Sequence, residues 1–274
     1  LLFHNQQGIR FRNVSATAGD YLRSPRVGRS TAIADFDRDG WPDVLLISHL
    51  SSSNGTLPAA IYWGNREHHY GSTSITQLDV NPHMEHSIAD LDDDGFPDLV
   101  FLKGPAERAM VMWGSQAGFH VDNRTDLPVE GPSSSSIADL NRDGKADFVV
   151  SHLDAPVAVL ANTTMQTGNY LAIQLRSGTG QRDAIGATVT LVLGGDKPRK
   201  LVRQLTAGDG YQASNQRQFL IGVGSEQQVD QLQVKWPSGR VDDYRGLPVN
   251  RQWMLIESDP SPHLLPATST ALER

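Results

Sequence analysis

Acidic side chains recur at a fixed spacing in the stretch IADFDRDGWPDVLLIS, residues 33–48. Aspartates occupy positions 1, 3, 5 and 9 of a nine-residue segment that begins at Asp35, and Gly40 occupies position 6. Like charges this close repel one another, so a cation is the expected partner. Oxygen ligands suit calcium, which takes 6–8 of them in flexible geometry. Zinc or copper would be expected to use His or Cys.

The acidic segment occurs three times in the chain. The other copies lie in HSIADLDDDGFPDLVFLKG (86–104) and SSIADLNRDGKADFVVSHL (135–153). Glycine at position 6 permits a sharp turn, and the carbonyl at position 7 can add an oxygen. About three Ca²⁺ ions are therefore predicted, with these ligands: Asp35, Asp37, Asp39, the Trp41 carbonyl and Asp43; Asp90, Asp92, Asp94, the Phe96 carbonyl and Asp98; Asp139, Asn141, Asp143, the Lys145 carbonyl and Asp147. The third loop should bind most weakly, because Asn141 replaces a carboxylate.

A different interpretation treats the loops as Asp-rich turns whose side chains cap backbone N–H groups. Asp93, between ligand positions, is assigned to that role, and Arg38 is expected to be solvated. The loops differ from EF-hands, because position 12 is Leu46, Phe101 or Val150 rather than glutamate. Three copies in one frame favour the calcium interpretation.

Repeating strands must position these loops. A second marker follows each loop in AIYWGN (60–65), VMWGS (111–115) and AVLAN (158–162), and the opening LLFHN (1–5) matches it. This alignment makes four positions equivalent, Phe3, Trp63, Trp113 and Leu160, and suggests an N-terminal truncation inside a unit. Each unit reads as four strands: a segment such as FRNVSA, the strand before the loop, the strand after it, and the marker strand.

Units of about 50 residues with four strands are typical of propeller blades. Three units and a fragment cannot close a ring, which typically has 4–8 blades. The fold class predicted for residues 1–165 is therefore all-β, a partial or N-terminally truncated β-propeller of about three four-stranded blades. Another protein, or the missing part of the propeller, is expected to cover its open edges.

The repeat stops near Asn169, and short alternating runs separated by Gly-rich turns follow. These runs predict a β-sandwich or small barrel over residues 169–257. The segment KWPSGRV (235–241) predicts a hairpin, with Pro237 and Gly239 in its turn. Residues 258–274 are rich in Pro, Ser and Thr and predict a flexible tail.

Both segments resemble known families. The three loops with their IAD lead-ins resemble FG-GAP/VCBS repeats, the integrin-α-type propeller blades, and this resemblance implies calcium in each loop. The stretches RDAIGATVT (182–190), GDGYQASN (208–215), IGVG (221–224) and VDQLQVKWPSGRV (229–241) resemble the ASPIC/UnbV domain, which commonly follows FG-GAP repeats in exported proteins. That family offers no catalytic residue to transfer.

Bulk composition excludes several function classes. The 274 residues carry a net charge of −7, which argues against a nucleic-acid surface. The absence of cysteine excludes disulfides and thiolate catalysis. No apolar run approaches the roughly 20 residues of a membrane-spanning helix.

The leading hypothesis is a non-enzymatic, calcium-stabilised protein-interaction module, located outside the cell or in the periplasm. One alternative is a lectin-like propeller that binds a glycan through Trp63 or Trp113. A less favoured one is a sugar lyase or hydrolase with a second metal near His83 and His86. The neighbouring His68, His69 and Glu85 fit no HExxH frame, so the favoured interpretation of this cluster is ordinary loop and strand-edge residues.

Overall fold

The computed structural model describes residues 1–19, 28–48, 59–67, 69–71, 74–78, 80, 85–102, 107–120, 122–165, 168–194, 199–208 and 213–266. This part of the chain is all-β and is arranged in six sheets. It contains no helix long and apolar enough to cross a membrane.

The repeats form a series of antiparallel sheets. The first sheet pairs β1 (Phe3–Gln6) with β2 (Arg10–Asn13). The second follows chain order through β3 (Gly28–Ala34), β4 (Asp43–Ser48), β5 (Ala60–Tyr62) and β6 (Ile75–Gln77). The third does the same through β7 (Glu85–Ala89), β8 (Asp98–Leu102), β9 (Arg108–Met112) and β10 (Arg124–Glu130). The fourth contains β11 (Pro132–Ala138), β12 (Asp147–His152) and β13 (Ala158–Leu160).

Apolar residues on both faces of these sheets bury them against their neighbours. In β8, Leu99 and Phe101 pack with Leu45 and Ile61 of the preceding sheet. Val100, one residue along the same strand, packs with the following sheet, since adjacent residues of a strand point to opposite faces. This sequential face-to-face stacking is propeller-like and confirms the predicted fold class.

Strand order within a unit differs from the prediction. The FRNVSA segment contains β2, which pairs with the preceding marker strand β1, so this strand type closes a unit instead of opening it. The fourth sheet has three strands among the described residues, rather than four. The chain leaves β13 towards the second acidic loop, where the Asn162 side chain donates to the Leu91 carbonyl at 2.8 Å.

The marker alignment also needs a one-residue correction. Tyr62, Met112 and Leu160 occupy the same register, each opposite the residue that follows the ninth loop position. Leu160 is therefore equivalent to Tyr62 and Met112, and Ala161 takes the place of Trp63 and Trp113. Matching by residue size misplaced this position.

Two further four-stranded sheets form a sandwich after residue 168. One sheet has the order β17-β14-β20-β21 and the other β16-β15-β18-β19. Their bounds are β14 (Asn169–Arg176), β15 (Thr188–Leu193), β16 (Arg199–Gln204), β17 (Phe219–Gly224), β18 (Gln228–Lys235), β19 (Val241–Pro248), β20 (Arg251–Ile256) and β21 (His263–Leu264). Leu171, Leu191 and Trp236 belong to one buried core between the sheets. The predicted hairpin joins β18 and β19, and Gly239 in its turn has φ +89°.

The predicted flexible tail is wrong for its first part. In the segment 258–266, strand β21 pairs with β20, and the Leu265 amide donates to the Gln252 carbonyl at 2.8 Å. The edge of β20 offers unpaired backbone groups, which outweigh the turn-forming composition of this segment. Residues 267–274 lie outside the described residues.

Candidate metal sites

Each acidic loop connects the first two strands of a sheet. The paired residues that close the loops are Ala34 with Asp43, Ala89 with Asp98, and Ala138 with Asp147. Position 1 therefore directly follows one strand and position 9 begins the next. This arrangement holds the two ends of the acidic segment side by side.

The three loops share one backbone conformation. Position 4 has positive φ in each, at +64° for Arg38, +58° for Asp93 and +61° for Arg142. Position 6 is a glycine with φ between +92° and +93° in all three: Gly40, Gly95 and Gly144. Glycine adopts this region readily, as the sequence predicted, whereas the left-handed residue at position 4 was not foreseen.

Carboxylates converge in the first two loops. Oxygen atoms of Asp35, Asp37 and Asp39 lie within 4.8 Å of one another, and so do oxygen atoms of Asp90, Asp92 and Asp98. No corresponding group of three occurs in the third loop as described, where Asn141 interrupts the carboxylates. The grouping brings together six of the predicted ligands. It does not include Asp43 or Asp94, and the roles of the carbonyls of Trp41, Phe96 and Lys145 remain predictions.

The first carboxylate of every loop has one oxygen without a partner. Oδ1 of Asp35, Asp90 and Asp139 is buried, and no hydrogen-bond donor of the described residues reaches it. The other oxygen, Oδ2, accepts from Gly40 N at 3.1 Å in the first loop and from Gly144 N at 3.1 Å in the third. A buried carboxylate oxygen without a donor is costly. An all-oxygen donor set with such an atom in each loop fits a hard cation such as calcium.

The ninth position has a structural task that the sequence did not reveal. Asp98 accepts from Leu91 N at 2.7 Å through one oxygen and from Gly114 N at 2.7 Å through the other. The equivalent bonds reach Phe36 N and Gly64 N from Asp43, and Leu140 N and Asn162 N from Asp147. This carboxylate joins the acidic loop to the end of the marker strand.

The loop aspartates cap backbone N–H groups, and this capping is compatible with metal binding by the same side chains. Asp37 accepts from Asp39 N at 3.1 Å, and Asp39 accepts from Trp41 N at 2.8 Å. The second and third loops repeat both bonds, with Asn141 taking the place of aspartate at position 3. A carboxylate oxygen that accepts an N–H still has a lone pair for a cation.

Burial makes these carboxylates hard to ionise in the absence of a cation. Desolvation is the main cause that raises the pKa of Asp43 to about 7, of Asp98 to about 8 and of Asp139 to about 6. It also raises the pKa of Asp90 well above its usual range, with the neighbouring Asp98 adding to the effect. Each loop thus concentrates negative charge in a poorly solvated place.

Position 4 differs between the loops, and Arg38 of the first loop contacts the second loop, contrary to the sequence interpretation. The Arg38 guanidinium donates to the Asp94 carbonyl at 3.2 Å and lies 4.4 Å from the centre of the Phe96 ring, so it is not simply solvated. Asp93 is 3% exposed and lies in the electrostatic field of the third loop, where Lys145 attracts it and Asp143 and Asp139 repel it. Arg142, at the same position of the third loop, is exposed.

Other candidate residues are engaged in structure or lie outside the described residues. The indole N–H groups of Trp63 and Trp113 donate to Thr76 and Thr125 on the neighbouring strands, at 2.9 and 3.0 Å. Both rings pack against buried clusters, which supports packing between blades. His86 is buried, with Nδ1 3.1 Å from the Ser30 hydroxyl. His68 and His83 lie outside the described residues.

Comparison with known families matches both parts of the chain. A family model described as FG-GAP-like repeat matches residues 35–101 and 90–150, which contain the acidic loops. A model described as ASPIC and UnbV matches residues 177–262.

Several curated proteins are similar over much of the chain. Cartilage acidic protein 1 of Mus musculus is 24% identical over 254 residues, which cover 88% of this chain and 38% of that protein. The Homo sapiens protein of the same name is 24% identical over 254 residues, or 88% of this chain and 37% of its own length. T-cell immunomodulatory protein of Rattus norvegicus is 28% identical over 127 residues, or 46% of this chain and 21% of its own length. The chain thus spans well under half the length of these relatives.

Proposed function

Because this chain is built from FG-GAP-like repeats followed by an ASPIC and UnbV domain, we propose that it is a calcium-stabilised protein-interaction module that acts outside the cytoplasm. We assign residues 1–165 to the repeats and residues 169–257 to the second domain. The role is non-enzymatic, and the names of the similar proteins, which describe no reaction, support this assignment.

The observation that carries the calcium assignment is the buried, unpartnered Oδ1 of the first carboxylate in all three loops. One such atom could be compensated by local rearrangement, whereas the same atom in three copies indicates a common ligand. The donors are oxygens throughout, which favours calcium over zinc. An ion bound to the folded chain alone stabilises it by mass action, by about 2.7 kcal/mol per site at a hundredfold excess over Kd.

Calorimetric titration of the metal-free chain with Ca²⁺ tests this assignment. We expect about three binding events and a higher unfolding temperature in calcium. Asp35→Asn should abolish one event, because the amide replaces a charged oxygen of the first loop. Asp126→Asn, on the exposed face of β10, is the matched control and should retain all three. Absence of calcium binding by the unaltered chain would refute the proposal.

The interaction role is supported by an apolar surface on the first sheet. Phe3 is 51% exposed and Phe11 is 69% exposed, and Leu1 and Ile9 beside them are more than four-fifths exposed. Exposed apolar patches on a soluble protein mark contact surfaces. Another protein, or further propeller sequence of the same repeat type, is the occupant we assign to this surface. A location outside the cytoplasm, where calcium is abundant, suits weak loop sites.

Substitution of the exposed phenylalanines tests the interaction surface. Phe11→Ser should reduce association of the chain with itself or with a co-purifying protein, measured by light scattering and by recovery of the complex. Val241→Ser, which removes an exposed apolar side chain from the sandwich, should leave association unchanged. Equal association of both variants and the unaltered chain would contradict the assigned surface.

A further inference from the structure

Positions 4 and 5 of the second acidic loop are more enclosed than in the other two loops, although all three share one spacing and one backbone conformation. Asp37 and Asp39 of the first loop are exposed, and so is Asp143 of the third. Asp94 of the second loop, at the same position as Asp39 and Asp143, is half-buried, and the preceding Asp93 is buried. A feature outside the loop itself must therefore provide this cover.

The cover comes from the edge of the C-terminal sandwich. Gly222 N, in β17, donates to Asp90 Oδ2 at 3.1 Å. Gly224 N, at the end of the same strand, donates to the Asp93 carbonyl at 3.0 Å. Gly168 N, just before β14, donates to the Asp92 carbonyl at 2.7 Å. Three backbone amides of the C-terminal part thus bind positions 1, 3 and 4 of one acidic loop.

Contact at this junction is close enough to require glycine. A Cβ atom at Gly222 would lie 2.2 Å from Asp90 Oδ2 and 2.6 Å from Asp93 Cα. A Cβ atom at Gly168 would lie 2.2 Å from the Asp93 carbonyl oxygen. Neither contact can be relieved without moving the sandwich away from the loop or rotating the Asp90 carboxylate.

Charge favours the same contact. The guanidinium of Arg203, in β16, interacts electrostatically with Asp90 and with Asp35. A second junction lies at the third loop, where Ile137 N donates to the Asn215 side chain and Asp139 N donates to the Gln216 side chain, both at 2.9 Å. The sandwich thus contacts the second acidic loop itself and the start of the third.

We propose that the second acidic loop is a cation-dependent docking site for the C-terminal sandwich. The amide of Gly222 holds Asp90 Oδ2, which directs the unpartnered Oδ1 towards the ion. A bound ion in turn fixes Asp90 and the turn whose carbonyls accept from Gly168 and Gly224. Since each event orders groups that the other needs, ion binding and docking strengthen one another by the same factor. This inference rests on the proposed calcium binding.

Amide hydrogen exchange of the full chain, with and without Ca²⁺, tests the linkage. Calcium should slow exchange of the Gly168, Gly222 and Gly224 amides by about tenfold, the usual size of a coupling between two sites. The Leu232 amide, within the pairing of β18, serves as the internal reference for any general stabilisation. Calcium binding without selective protection of the three glycine amides would overturn the inference and leave the calcium proposal intact.

A glycine substitution tests the reverse direction of the linkage. Gly222→Ala should weaken one calcium-binding event by about tenfold and leave the others unchanged. Gly180→Ala is the matched control, because a Cβ there lies 3.7 Å from its nearest neighbour, an ordinary contact. Identical calcium affinities of the two variants would refute the linkage. If Gly222→Ala does not fold, the exchange measurement on the unaltered chain decides the question alone.

Discussion

Single carboxylates have separate tasks within the acidic loops. The first position presents a buried oxygen without a protein donor, whereas both oxygens of the ninth accept backbone N–H groups. Spacing in the sequence predicted that these residues belong together. It could not separate the tasks, because one of the two donors to the ninth residue, Gly114 N, lies 16 residues further along the chain.

Asp98→Asn should destabilise the chain even in saturating calcium. An amide can accept only one of the two N–H groups that Asp98 now satisfies, and its own NH₂ would face the other. The expected loss is about 2 kcal/mol of unfolding free energy, measured by urea denaturation. Asp126→Asn, exposed on β10, is the control and should change it little. Equal stability of the two variants would contradict the bridging role.

Glu257 provides an acid-sensitive contact in the sandwich. It accepts from Ser177 Oγ at 2.5 Å, from the Ser238 hydroxyl, from Thr179 Oγ1 at 2.9 Å and from Gly178 N at 3.2 Å. Hydrogen bonds from Ser177 and then Ser238 lower its pKa from 4.5 to about 2. The stabilisation is therefore complete above pH 4.5 and is lost as the pH falls towards 2.

Glu257→Gln should remove this acid-dependent contribution. Its unfolding temperature should fall below that of the unaltered chain at pH 7, and the gap should narrow at pH 3, where protonation weakens the same contact. Glu67→Gln, at an exposed turn, is the control for loss of a carboxylate. A gap that stays constant between the two pH values would exclude this role of the charge.

At the scale of strands and turns, a close approach explains the Trp-Gly marker. A Cβ at Gly64 would lie 2.1 Å from the Pro42 carbonyl oxygen, and one at Gly114 would lie 2.3 Å from that of Pro97. In the third unit, Asn162 replaces this glycine, and Ala146 replaces the proline. The sequence marked these positions as repeated, but the reason lies in the distance between two segments far apart in the chain.

Gly114→Ala should destabilise the third sheet by displacing the marker strand from the loop. Overpacking of this kind typically costs about 1–3 kcal/mol. The displacement would also lengthen the bond from residue 114 to Asp98, which thermal unfolding and the amide exchange of residue 114 would both report. Gly180→Ala, in an open turn, is the control. Unchanged stability and exchange would contradict the steric explanation.

Predictability from the sequence varied between elements for physical reasons. Repeated spacing and alternating apolar residues predicted the propeller-like sheets and the hairpin around Gly239, because both depend on local order. Strand β21 was missed, since it forms only by pairing with the edge of β20. The contact of Gly222 with Asp90 was equally hidden, because it joins residues 132 positions apart in the chain.

At the scale of the whole molecule, the buried carboxylates are expected to link stability to pH and to the proposed calcium binding. Desolvation raises the pKa of Asp43 to about 7 and of Asp98 to about 8, from an ordinary value of 3.8. A folded-state pKa above the unfolded value means that the folded chain is favoured at low pH and loses this advantage as the pH rises through 7–8. A bound cation reverses the preference by stabilising the ionised form.

The metal-free chain should therefore be less stable at pH 8 than at pH 5.5. Calcium should stabilise it at both pH values and more strongly at pH 8, because protons compete for the same oxygens at pH 5.5. Urea denaturation of metal-free and calcium-loaded samples at the two pH values measures the effect. Magnesium, which prefers a smaller octahedral site, is the control cation and should stabilise less. A metal-free stability independent of pH would contradict this prediction.

The contacts of position 4 give the row of repeats a polarity. Arg38 is matched to the Asp94 carbonyl and the Phe96 ring of the second loop. Asp93 is attracted by Lys145 of the third loop and repelled by Asp143 of the same loop. Exchanging the two units would set Asp93 beside a loop that carries Trp41 where Lys145 now stands, and would lose that attraction. The left-handed residue of the first loop thus recognises the loop that follows it, so part of the order of the repeats is encoded at that one position.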